Sequence, residues 1–117
     1  DIGDIYAPYN HDEYAASILR PFVREQCSWV IEKHGDFQMV YYAHHVGGNP
    51  DKRLAYKEHP YFEDCATFCE RWDQASFDPA YDSQPLEFFQ DMVREVFARS
   101  AYDPEVLRAG KREPLRV

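Results

Sequence analysis

The side chains with the most chemistry in this chain are its histidines, at positions 11, 34, 44, 45 and 59. A lone histidine on a helix is usually structural or solvated, so a functional reading needs a constellation. One is available. His11 stands where a helix should begin and His34 where the next should end. Asp73 closes the stretch Arg71-Trp72-Asp73, and Asp1 opens the chain. Helix ends can converge on one centre, and imidazole with carboxylate suits iron, manganese or zinc rather than calcium. The cysteines, Cys27, Cys65 and Cys69, do not join this set. They lack the doubled C-x₂₋₄-C spacing of a zinc site, and no disulfide framework is indicated. Cys65 and Cys69 share a helix face and read as small buried hydrophobes in a reducing compartment.

The elements that must position these residues read as helices. Tyr14, Ala15, Ile18, Leu19, Phe22 and Val23 carry the three-four spacing of an amphipathic helix across 11–33. Asn10 is a good N-cap, and Asp12 and Glu13 suit the positive end of the helix dipole. Pro21 should kink or break the run. A second helix then holds Val23, Cys27, Val30 and Ile31 and is expected to end near Lys33-His34-Gly35. Residues 36–46 are aromatic and ambiguous, and a strand at Val40-Tyr41-Tyr42 is not excluded. Gly47-Gly48-Asn49-Pro50 marks a loop. A helix over 61–73 places Phe62, Cys65, Phe68, Cys69 and Trp72 on one stripe, with Pro60 suiting its first turn. Residues 76–84 form a polar loop. Pro85 opens a further helix with Leu86, Phe89, Val93, Val96 and Phe97 inward. A short turn over 103–109 and a basic, frayed tail complete an all-α chain.

The motifs resemble those of the HD superfamily of metalloproteins. Asp1-Ile2-Gly3 looks like the end of a His-Asp-Ile-Gly motif whose histidine would precede Asp1. His11-Asp12-Glu13-Tyr14-Ala15-Ala16 is similar to the superfamily's second-metal helix, His-x-Glu-x-(Gly/Ala)-Ala. His34 falls near where the next ligand histidine is expected. Arg71-Trp72-Asp73 resembles the stretch that ends in the last ligand aspartate of the organophosphonate oxygenase branch; myo-inositol oxygenase is more remote. The resemblance covers roughly residues 1–97. It implies an HD-domain-like helical bundle, N-terminally truncated here, that holds two metal ions, iron or alternatively manganese. Asp1 would bridge the ions, His11 and His34 would bind the second, and Asp73 the first. On this reading residues 1–100 are the C-terminal portion of an HD domain and 101–117 a short helix and tail. The upstream part of the same domain would supply the remaining ligands and cover exposed helix faces, so the isolated piece is expected to be unstable and inactive.

The substrate side departs from the family's pattern. Phosphonate oxygenases commonly carry a lysine four residues after the equivalent of His34, and here that position is Gln38. A neutral amide cannot supply the charge that holds a phosphonate. Lys52 and Arg53, after the glycine loop, are candidate replacements; their plainer reading is a solvated loop. His44 and His45 are candidates too, since protonated imidazole binds anions. Their plainer reading is an aromatic segment with one exposed histidine, and His44 is an alternative to His34 as second-metal ligand. The spacing from His11 favours His34.

Two chemistries fit such a cage. The preferred one is a mixed-valent di-iron oxygenase acting on a small polar or anionic substrate. The alternative is a metal-dependent phosphohydrolase of a nucleotide or phosphate ester, in which ions activate water and clamp phosphate oxygens. A third reading is a non-catalytic helical interaction module. Composition narrows the partners. In 117 residues, 13 Lys and Arg face 21 Asp and Glu, a net charge of −8. That balance argues against nucleic acid or an anionic membrane, and no apolar run approaches the roughly 18 residues a membrane span needs. A small-molecule substrate and a cytoplasmic location are expected. No Gly-rich phosphate loop and no Ser or Cys nucleophile motif appears, so an organic cofactor is not expected.

Overall fold

A computed structural model describes residues 5–107. Asp1, whose role rests on the family resemblance, and the basic tail from 110 lie outside the described residues. The architecture is all-helical, with no strand among the described residues. Helix α1 spans His11–Leu19 and α2 spans Glu25–Val46. A 3₁₀ turn at Lys52–Tyr56 leads to α3, Phe62–Phe68, which passes directly into a π-helical turn at Cys69–Asp73. A 3₁₀ turn at Ala75–Phe77, helix α4 at Leu86–Phe97 and the short α5 at Pro104–Leu107 follow.

Helix α1 stops at Leu19 and α2 starts at Glu25, so Pro21 breaks the run as its missing N–H requires. Asn10 is the N-cap of α1, but its side chain makes no capping bond; its Nδ2 donates to Glu13 Oε2 at 3.4 Å instead. The expected end of the second helix at His34-Gly35 is corrected. Helix α2 runs on for 22 residues and absorbs the ambiguous 36–46 segment. The reason is packing. Val30, Phe37 and Tyr41 recur at helical spacing and bring their side chains to the core. That burial outweighs the strand preference of Val40-Tyr41-Tyr42.

The glycine that does end α2 is Gly47. It adopts φ 70°, and both its own N–H and that of Gly48 reach the Ala43 carbonyl, a left-handed C-terminal cap. The chain then folds back along α2. Lys52 Nζ donates to Asp36 Oδ1 at 2.7 Å and the Tyr56 hydroxyl donates to Asp36 Oδ2 at 2.9 Å. The Tyr56 ring stacks on Phe37, 6.2 Å between centroids and 16° between planes.

The core lies between α2 and α3. Val30, Phe37, Cys65 and Cys69 are its buried members, with Trp29, Tyr41, Tyr56, Phe62, Ala66 and Phe68 packed around them. The i, i+4 cysteines are buried and free, as their spacing anticipated. Cys65 Sγ lies 3.6 Å from the Val30 carbonyl and Cys69 Sγ 3.5 Å from the His34 carbonyl. A hydrogen bond with Cys69, reinforced by burial, pushes the Cys65 thiol well above the ordinary range. A buried polar tie closes one end of the interface: Gln26 Nε2 donates to Asp64 Oδ2 at 2.8 Å. The expected α-helix over 61–73 is modified at its end. Gln74 N–H bonds the Cys69 carbonyl, five residues back, at 2.8 Å, the defining bond of a π-turn. Pro60 precedes the N-cap Tyr61 rather than occupying the first turn.

Helix α4 is a second correction. Pro85 opens it, but Leu86, Phe89, Val93 and Phe97 are all exposed. The periodicity is that of an amphipathic helix, yet no described element covers its apolar face. Its C-terminal end is the part held to the body. Phe97 meets Phe22 edge-on at 5.2 Å, Arg99 donates to the Phe22 carbonyl at 2.9 Å, and Tyr102 N–H donates to Pro21 at 2.7 Å.

Gly47 has open space around an added Cβ, so only backbone conformation resists substitution there. Gly47→Ala is expected to cost about 1–2 kcal/mol, read as a lower urea midpoint with an unchanged slope.

Candidate metal centre

The geometry of the centre begins at Gly35. The carboxylate of Asp12, in the first turn of α1, lies against this residue. A Cβ built on Gly35 would sit 2.6 Å from Asp12 Oδ2. The missing side chain lets the start of α1 press onto the middle of α2. Because His11 precedes Asp12 and His34 precedes Gly35, the same approach sets the two histidines face to face. Their Nε2 atoms are 3.2 Å apart and their rings meet edge-on at 5.1 Å.

His34 is also oriented from behind. Its Nδ1 lies 2.6 Å from the Ile31 carbonyl. A carbonyl only accepts, so Nδ1 carries the proton and the neutral ring presents a lone pair at Nε2. Metal-binding histidines are held in this way, with the other ring N–H donated to a carbonyl or carboxylate. Two imidazole nitrogens bound to one ion at 2.0–2.1 Å would be roughly 2.9–3.4 Å apart for angles between octahedral and tetrahedral. The observed separation fits that range.

Asp73 joins His11 and His34 on the wall of a cavity of about 380 Å³, which is also lined by Phe68, Trp72 and Tyr81 among others. The π-turn delivers Asp73 to this wall, and Ser76 Oγ caps the Asp73 carbonyl at 2.8 Å. Three of the ligands anticipated from sequence thus share one cavity. They are not gathered as a complete set: among the described residues no cluster of three or more His, Cys, Asp or Glu side chains is arranged to hold a metal ion. The Asp73 carboxylate is instead engaged by Gln38, whose Nε2 donates to Asp73 Oδ2.

The candidate substrate residues lie elsewhere. Gln38 is buried and does not line the cavity. His44 and His45 are exposed in the last turn of α2, their rings 3.9 Å apart. Lys52 and Arg53 sit in the 3₁₀ turn, and Lys52 is committed to Asp36. None of the five lines the His11–His34 cavity, and no Lys or Arg among the described residues does. Trp72, on the apolar stripe of the 61–73 segment, also lines the cavity. The sequence reading missed Gly35, Ser76 and Tyr81. Gly35 had a signal, because an isolated glycine inside a helical pattern marks a close approach as readily as a helix end; Ser76 and Tyr81 had none.

Comparison of the chain with protein-family models, curated proteins and solved structures returned no match.

Asp36 organises the flank of the centre. Burial raises its carboxyl, but hydrogen bonds from Lys52 and Tyr56 and the charges of Lys52 and Lys33 outweigh this and hold it below the usual range. A lowered folded value means that the contribution is present above the unfolded value of 3.8 and is lost as pH falls through the folded one. Lys52 is 56% exposed, so solvent screens much of the pair. Asp36→Asn should cost about 0.5–1 kcal/mol at pH 7, and this difference should shrink in urea unfolding as pH is lowered past 3.8. Gly35→Val should be more damaging, by about 1–3 kcal/mol from overpacking, measured in the same way, because the added side chain meets Asp12.

Proposed function

We propose that this chain is part of a dinuclear-metal enzyme of the HD type, best read as a mixed-valent di-iron oxygenase acting on a small polar or anionic substrate. The observation that carries the reading is the His11–His34 pair: Nε2 atoms 3.2 Å apart, with His34 Nδ1 tied to the Ile31 carbonyl. His11 and His34 would hold the second ion and Asp73 the first, with Asp1 between them. Iron in this site would supply one-electron chemistry toward dioxygen.

The chain's own residues have three tasks in this proposal. His34 keeps its lone pair aimed through the bond to Ile31. Asp73 offers a carboxylate to the same cavity. Phe68, Trp72 and Tyr81 give the cavity aromatic walls, which limit the water around a small substrate. The phosphohydrolase reading uses the same ligands. It is second because a phosphate needs fixed cations, and the described cavity lining holds no Lys or Arg. A non-catalytic helical module would leave the contact of His11 with the oriented His34 without a use.

The full-length protein, purified anaerobically, is expected to retain iron and to consume oxygen with a suitable substrate. His11→Ala and His34→Ala should each reduce bound iron to background. Turnover of phosphate esters with manganese or iron, without oxygen uptake, would replace the oxygenase by the hydrolase. Equal, negligible iron in wild type and variants would leave the interaction module.

A further inference from the structure

Gln38 is buried at 8% exposure, in the helix that carries His34, one turn further along. Its amide is used asymmetrically. Nε2 donates to Asp73 Oδ2, while Oε1 is buried with no hydrogen-bond partner among the described residues. A buried amide ordinarily turns to satisfy both ends. Here rotation by 180° would bring a carbonyl oxygen against a carboxylate oxygen. The carboxylate therefore dictates the orientation, and the carbonyl is left unpaired.

From this we infer that Gln38 is a positioning residue for the ion-binding carboxylate: its N–H fixes Asp73 Oδ2, leaving Oδ1 as the oxygen directed to a cation. The inference rests on the proposed metal site and deepens it. It moves Gln38 from substrate recognition, suggested by its place in the sequence, to control of a ligand. Gln38 reaches Asp73 across 35 residues of sequence, so it couples the π-turn to α2. The residue offers no charge of its own. Asp73 thus keeps its full negative charge for a cation, which a lysine at the same position would neutralise.

The test is Mn²⁺ binding to the full chain, followed by the loss of the free-ion electron paramagnetic resonance signal. Gln38→Met keeps length and removes the donor. Gln38→Glu keeps shape and faces the carboxylate with an acceptor. Both are expected to weaken Mn²⁺ binding 10- to 100-fold, the usual effect of losing a group that orients a ligand. The metal-free melting temperature of Gln38→Met should stay equal to wild type or rise, since the unpaired carbonyl is gone. Wild-type binding with unchanged affinity in both variants would overturn the role of Gln38 and leave the metal site standing. Weaker binding accompanied by an equally large loss of metal-free stability in both variants would make Gln38 structural and overturn the inference. No Mn²⁺ binding by wild type would remove the metal site, and this inference with it.

Discussion

The close approach of α1 to α2 at Gly35 is the constraint on which the centre depends. Asp12 occupies the space a side chain would take at Gly35. His11 and His34 are the residues immediately before these two, so the contact fixes them at 3.2 Å between Nε2 atoms. The glycine carries a cost, since in a helix interior it is about 1 kcal/mol worse than alanine. The length of α2 offsets that weakness. With 22 residues and the aromatic contacts of Phe37 on its far half, the helix is held on both sides of the glycine.

The packing of α2 on α3 is fixed by two further features. Gln26 and Asp64 lock the start of α2 to α3 through a buried hydrogen bond. Cys69 places its thiol against the His34 carbonyl at the start of the π-turn, and Asp73 stands at the end of that turn. One turn of irregular helix therefore links the backbone of a histidine to the carboxylate that shares its cavity. Such turns are frequent at functional sites because they trade regular hydrogen bonding for a shifted side-chain direction.

Helix α4 shows the limit of periodicity as evidence. Its pattern specifies a helix with one apolar face, and the helix is there. Whether that face is buried depends on what lies opposite, and the described residues place only its C-terminal end against Pro21 and Phe22. Amphipathic spacing determines the element without determining its neighbour.

The sequence by itself determined the helical class, the break at Pro21, the loop at Gly47-Gly48 and the inert burial of Cys65 and Cys69, and it singled out His11, His34 and Asp73 as candidates. Those features depend on local chemistry: a missing N–H, a backbone free to take positive φ, apolar spacing, and the donor chemistry of imidazole and carboxylate. Only the tertiary structure decided that α2 continues through Gly35, that α3 ends in a π-turn, that Gln38 holds Asp73 and that Lys52 belongs to Asp36. The contacts of Gln38 with Asp73 and of Lys52 with Asp36 join residues 35 and 16 apart in sequence, and neither has a local signature. A glycine after a histidine reads the same whether it ends a helix or admits a neighbour, and the neighbour, Asp12, lies 23 residues earlier.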